Sequence, residues 1–130
     1  MAIERIELSY SSDTIDIRIR VSPEIAPSSQ SVYRLLIAGS EIRATIGTVH
    51  DVYFGIIRYK DEYEILLPFD EGDGYRTVTI DKESGKKILK EIINMMMIMT
   101  RNYTPTSEVE SNIKDIVIKI LNSILYDLVH

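Results

Sequence analysis

Apolar side chains alternate with polar ones over most of the first 80 residues, the period-two mark of strands that bury one face. Ile6, Leu8 and Tyr10 fall on one side of the chain, Glu7 and Ser9 on the other. After Ser11-Ser12-Asp13, TIDIRIRV (14–21) sends Ile15, Ile17, Ile19 and Val21 inward and Asp16, Arg18 and Arg20 outward, so the two segments predict a hairpin. Pro23, Pro27 and four serines predict a loop over 22–31. Within SVYRLLIAG (31–39), Val32, Leu35 and Leu36 between a capping Ser31 and a closing Gly39 predict a short helix, with a strand as the alternative. EIRATI (41–46) reads as a strand with Ile42, Ala44 and Ile46 on one face. VYFGIIRY (52–59) and EYEILLPF (62–69) make a second hairpin around Lys60-Asp61. They are apolar on nearly both faces, which places them centrally in a sheet or beneath helices. Residues 70–74 (DEGDG) form a loop, and YRTVTI (75–80) is a further strand.

At residue 81 the period becomes helical. Asp81 or Ser84 can accept hydrogen bonds from the free N–H groups of a first turn, and Ile88, Leu89, Ile92, Ile93, Met96 and Met97 form a broad stripe. The run Met95–Met99 is apolar all round, and Asn102 and Pro105 end the helix. Ser107 and Glu110 have capping-box spacing for a last helix whose apolar positions, from Val109 to Leu128, leave a thin polar strip. The chain therefore predicts an α+β fold of one domain, residues 1–130. Its β-rich half (1–81) is an antiparallel sheet of five to six strands, packed in two layers by the two long helices of 82–130. No internal repeat or low-complexity segment interrupts it.

Helices apolar around most of their circumference must bury several sides, and one sheet face does not suffice for both. At ~25 cal/mol per Å², covering a further 600 Å² or so is worth roughly 15 kcal/mol before association costs. The expectation is a homodimer joined through residues 92–128, with Met95, Met96, Met99, Ile116, Ile120 and Ile124 at the interface. The alternative is that the two helices bury each other and the sheet within one chain.

Composition changes the picture by exclusion. The chain has 130 residues, 45% of them hydrophobic and 27% charged, which fits an ordinary globular domain. With no cysteine there are no disulfides, thiolate zinc sites or cysteine nucleophiles, and with only His50 and His130 a histidine-rich metal site is nearly excluded. No secretory leader pattern or membrane-length apolar run is visible, so the expected setting is the cytoplasm, without membrane contact. Twenty-two isoleucines against four asparagines and one glutamine match the bias of some thermophile proteins and of AT-rich genomes. In this respect the composition resembles small proteins of crenarchaea and their viruses.

Charge is uneven. Of the net −5, the segment 61–81 holds seven acidic side chains against Arg76 alone, whereas 82–102 is basic. Seven of the eight arginines precede residue 81, and six of the seven lysines follow it. Catalytic patterns are poor. No serine elbow accompanies His50. The carboxylates at 70, 71, 73 and 81 lack the ligand at position three and the flanking helices of a calcium loop. Asp51, Asp61, Glu62 and Glu64 could serve a metal-dependent nuclease but lack an accompanying lysine strand, and no phosphate loop precedes a helix. What remains is a non-catalytic surface of arginines and tyrosines. Arg18, Arg20 and Arg43, with Arg58 and Arg76, lie in or beside strands that also carry Tyr53, Tyr59, Tyr63 and Tyr75. Guanidinium groups follow a phosphate backbone and aromatic faces stack bases. The same residues also enrich protein interfaces or simply fill cores.

GYRTVTIDKESGKKILKEI (74–92) resembles the strand-into-helix segment of the Whirly and transcriptional-positive-cofactor family, through Arg76, Val78, Ile80, Asp81, Glu83 and Ile88. Gly85 stands where that family has a large aromatic residue. The resemblance implies antiparallel hairpins backed by a helix, single-stranded DNA binding and homodimers or higher assemblies, with Arg58, Tyr59, Lys60 and Arg76 lining the groove. The element order also resembles longin or profilin-like domains, which bind protein partners. The resulting expectation is a non-enzymatic, cofactor-free protein binding single-stranded DNA or RNA as a homodimer, through Arg18, Arg20, Arg43, Arg58, Tyr59, Lys60 and Arg76. A dimeric protein-interaction module is the alternative, and a metal-dependent nuclease the third reading.

Overall fold

A computed structural model describes residues 2–23, 25, 30–68 and 74–130. Among them run seven strands: β1 (Ala2–Tyr10), β2 (Thr14–Ser22), β3 (Ser31–Ala38), β4 (Glu41–Gly47), β5 (Val52–Tyr59), β6 (Glu62–Pro68) and β7 (Tyr75–Ile80). Two helices follow, α1 (Lys82–Asn102) and α2 (Glu108–Val129). Each strand pairs antiparallel with the next, so the sheet order is the chain order. The expected α+β class is what the chain adopts, but with seven strands rather than five to six. Much of the loop expected over 22–31, and nearly all of that over 70–74, lies outside the described residues.

The extra strand is β3, which replaces the helix expected over 31–39. Val32, Leu35 and Leu36 match helical spacing, but Val32, Tyr33 and Ile37 also suit a strand. Pairing decides the matter: Arg18 stands opposite Arg34 on one side of β3, and Arg34 opposite Thr45 on the other. The backbone of this segment is thus used by ladders on both edges, and tertiary pairing overrides a weak local preference.

Period-two alternation builds the core. Leu8, Ile17, Leu35, Ala44, Ile56, Ile65 and Val78 stand side by side across all seven strands. Ile17, Leu35, Ala44 and Ile56 in this row are fully buried. The helices cover this face: α1 lies over β1, β2, β4, β5 and β6, and α2 lies beside α1 against β1. The second hairpin, β5–β6, is therefore under α1, as its apolar character suggested.

Helix docking explains Gly85. A Cβ at this position would come within 2.3 Å of Cγ of Tyr63, so α1 approaches β6 as closely as it does only because no side chain intervenes. Tyr63 is buried beneath it. The aromatic packing residue is thus on the sheet and the small one on the helix.

Both helix starts follow the sequence. Asp81 caps α1 by accepting from the Ser84 N–H at 3.0 Å, and this bond holds its carboxyl below the usual range. Ser107 caps α2, accepting from the Glu110 N–H at 3.1 Å. Glu110 reaches back to Thr106 rather than to Ser107, accepting from the Thr106 N–H at 2.9 Å and from the hydroxyls of Thr106 and Tyr103. Those bonds, Thr106 foremost, keep the Glu110 carboxyl low, while the same carboxylate raises the Tyr103 phenol. Lys114 closes the turn by donating to the carbonyls of Arg101 (3.0 Å) and Tyr103 (2.7 Å), where α1 would otherwise leave acceptors free.

The apolar helix surface divides between inside and outside. Met96, Met97, Met99 and Ile124 are buried within the chain, and Ile120 is half-buried. Met95 (39% exposed), Ile98 (60%), Ile116 (37%), Val109 and Tyr126 remain exposed. Of the six side chains expected at a dimer interface, the chain itself covers Met96, Met99 and Ile124 and leaves Met95 and Ile116 open. No helix among the described residues is long and apolar enough to cross a membrane.

Candidate ligand groove on the second sheet face

The side of the sheet turned away from the helices is built from the alternate residues of the same strands. Across it run Glu7, Arg18, Arg34, Thr45, Gly55, Leu66 and Thr77, with Ser9, Asp16, Leu36, Arg43, Ile57, Glu64 and Thr79 in the next row. Although no helix covers this face among the described residues, Val32, Thr45, Ile57 and Leu66 are buried on it. Tyr75, at the start of β7, reaches over β6 so that its hydroxyl accepts from the Val52 N–H of β5 at 3.4 Å.

The result is a groove of about 330 Å³, the lower end of the range for small-ligand sites. It is lined by Val32, Leu36, Thr45 and Leu66, by Arg18, Arg20, Arg34 and Arg43 interleaved with them, and by the 48–51 turn with Tyr75. Gly55 keeps this face close-packed: a Cβ there would stand 2.9 Å from Thr45 Cγ2 and 3.2 Å from Leu66 Cβ. The turn is closed by hydrogen bonds: Thr48 Oγ1 accepts from the N–H groups of His50 (3.3 Å) and Asp51 (3.1 Å) while the Thr48 N–H donates to the Asp51 carbonyl at 2.7 Å.

The arginines are held by carboxylates in register. Asp16 accepts two bonds from Arg34, Nε at 3.0 Å and Nη2 at 2.8 Å, and a third from Arg18 at 3.3 Å. Arg18 and Arg34 stand directly opposite one another, and this shared carboxylate offsets their repulsion. Burial works against ionising Asp16, yet the bonds and charges of Arg34 and Arg18 together outweigh it and hold its carboxyl below the ordinary value, while the same bond raises Arg34. Arg20 donates to Glu7, and Arg43 to Glu41 at 3.0 and 3.2 Å. A guanidinium has five N–H donors, and these bonds use one each on Arg18 and Arg20 and two each on Arg34 and Arg43. Donors remain on these partly exposed side chains.

The seven residues expected to bind nucleic acid do not share one surface. Arg18, Arg20 and Arg43 come together in the groove. Arg58 belongs to the helix-facing row between Ile42 and Tyr63, and its Nε is shut off from solvent with no partner among the described residues. Arg76, opposite Leu67, is also on the helix side, exposed on the edge strand. Tyr59 and Lys60 sit at the β5–β6 turn, where Lys60 adopts a left-handed φ of 56° and places its ammonium 5.5 Å from the Tyr59 ring centroid. Arg34, Thr48, His50, Asp51 and Tyr75 line the groove instead. Arg34 was hidden by the helical reading of 31–39; read as a strand, that segment puts Val32, Arg34 and Leu36 on the face shared with Arg18.

The nuclease carboxylates are dispersed. Asp51 precedes β5 and Asp61 and Glu62 follow it, at opposite ends of the strand. Among the described residues no three His, Cys, Asp or Glu side chains are grouped to hold a metal ion. The calcium-like positions 70, 71 and 73 lie outside the described residues. No family model, curated protein or solved structure matches the chain.

Proposed function

We propose that this chain binds single-stranded nucleic acid without catalysing a reaction on it, and that the groove face is its platform. The observation that carries the reading is the convergence of Arg18, Arg20, Arg34 and Arg43, from three adjacent strands, on one face with N–H donors to spare. Planar guanidinium groups both bond phosphate oxygens and stack on bases, and Tyr75 adds an exposed ring at the rim. Glu7, Asp16 and Glu41 neutralise most of the arginines' charge, so affinity rests on stacking and local bonds more than on counterion release. Binding then falls with salt along a shallow slope, that of a few phosphates. The turn of β7 into α1 is the segment that resembles the Whirly and positive-cofactor proteins.

The same reading takes the working form as a homodimer. Met95, Ile98 and Ile116 remain exposed, α1 carries five basic against two acidic side chains, and α2 two against four. A two-fold axis that sets each α1 against the partner's α2 covers apolar surface and pairs opposite charge. Sedimentation at micromolar concentration should give twice the chain mass, and a single-chain mass overturns the dimer.

Fluorescence anisotropy of a labelled 20-mer tests the groove. Single strands should bind in preference to duplex, and the double variant R18E/R34E should lose binding while its circular dichroism stays that of the parent. R76E, on the other side of the sheet, should leave affinity unchanged. Absence of binding at roughly 50 µM in low salt overturns the proposal and favours a protein-interaction module.

A further inference from the structure

The two edges of the sheet are treated differently. β1 carries the devices that stop an edge from recruiting another strand. Its register shifts at a bulge between Ile3 and Arg5. Charged Glu4, Arg5 and Glu7 line it, with Glu4 accepting from Ser22 and Gln30, and α2 lies against it. β7 has none of these. Its register with β6 runs unbroken from Pro68↔Tyr75 to Tyr63↔Ile80. It holds no proline and one charge, Arg76, and Thr77-Val78-Thr79-Ile80 is a β-branched run. Tyr75 to Thr79 are exposed, and among the described residues no backbone group bonds the far edge.

We propose that the free edge of β7 is a docking site for an extended, basic peptide segment of a partner protein, which adds to the sheet as an eighth strand. Strand addition supplies main-chain hydrogen bonds, and side chains of the added strand give specificity. Charge names the occupant. β7 lies in the most acidic stretch of the chain, 61–81, where seven carboxylates accompany one arginine. On β6, Glu64 stands opposite Thr79 and Glu62 lies just beyond the Tyr63–Ile80 pair, and Asp81 and Glu83 follow β7, while Lys82 pairs with Asp61 at 3.7 Å. A second copy is the poorer fit. Pairing of two β7 strands would bring a second set of the same carboxylates, Glu62, Glu64, Asp81 and Glu83, to one seam, acid added to acid. A strand of alternating lysine and valine meets opposite charge where β7 runs into α1 and apolar Val78 beside it.

The probe is a fluorescein-labelled peptide of alternating Lys and Val, eight residues long, with a Glu-Val peptide as control and anisotropy as the readout. The lysine peptide should bind, more weakly at high salt, and the glutamate peptide should not. Hydrogen exchange of β7 amides should slow on binding. In an antiparallel pair, alternate residues point their N–H groups to the neighbour and to the open side. Of T77P and V78P, one therefore spares the β6–β7 ladder, and this folded variant should bind the lysine peptide at least about tenfold more weakly. Equal binding of both peptides, or full affinity in the folded proline variant, overturns the proposal. So does a dimer that the folded proline variant converts to monomer, since the edge would then belong to a second copy.

Discussion

The two faces of one sheet are made by the same seven strands, yet they solve different problems. Toward the helices stand Ile17, Ile19, Leu35, Ala44 and Ile56, fully buried and without a polar side-chain atom among them. Toward the groove, buried Val32 and Leu66 alternate with half-buried arginines, and the partners of Arg18, Arg20, Arg34 and Arg43 are Asp16, Glu7 and Glu41 on the same face. Burial without polar atoms needs only shape complementarity, whereas burial of charge needs a partner in hydrogen-bond reach; Arg58, whose Nε is shut off on the helix side without a partner among the described residues, departs from this division. The helix side therefore holds the fold, and the groove side keeps chemistry that the fold can tolerate.

Substitutions that separate the two faces break or sharpen this contrast. The largest effect is expected from Leu35→Ala, which leaves a cavity in the fully buried core and should cost about 2–5 kcal/mol in urea unfolding; Leu66→Ala, on the groove face, should cost only about 1–2 kcal/mol. Equal losses would mean the groove face is as much core as the helix side. Next comes Gly85→Ala. Alanine favours a helix interior by about 1 kcal/mol, but the new methyl meets the base of the Tyr63 side chain, so a net destabilisation of about 1–3 kcal/mol is expected. A gain in stability would show that α1 can lift away from β6.

A smaller effect is expected from Asp16→Asn, about 1 kcal/mol at neutral pH for a partly exposed bonded pair. Its sign with pH follows from the lowered carboxyl. The folded protein holds Asp16 ionised below the ordinary value of 3.8, so the parent's advantage over the variant is complete above that value. It disappears as the pH falls through the lower folded value. Paired urea titrations down the acid range would reveal a gap that closes in this window, and a constant gap would sink the assignment. The smallest change is expected from Ser107→Ala, which removes one cap of α2 and should cost about 0.5–1 kcal/mol, read as a modest drop in Tm with the groove untouched.

Much of this architecture was legible in the chain. Alternation in 14–21 announced which side of β2 is core, the shift to helical period at Asp81 located α1 to within a residue, and Ser107 with Glu110 located the start of α2. These signals are local: a strand's faces and a helix's cap are written in residues two to four apart. β3 was not legible, because Val32, Leu35 and Leu36 satisfy both periods until β2 and β4 supply its hydrogen bonds. The groove was half legible. Outward Arg18, Arg20 and Arg43 could be read from β2 and β4, but Arg34 depended on β3, and Tyr75 and the 48–51 turn reach the groove only through the pairing of β4 to β7 and the bond from the Val52 N–H to Tyr75.

The amino-acid order alone thus settled the class of fold, the two helix starts and the inward set of each clear strand, since these depend on neighbours along the chain. Only the tertiary structure decided that Arg58 and Arg76 stand on the helix side, that Arg34 joins Arg18 on Asp16, and that Gly85 sits on Tyr63. Register arises from pairing between distant segments, and a shift of one residue moves a side chain to the opposite face. No local pattern carries that information.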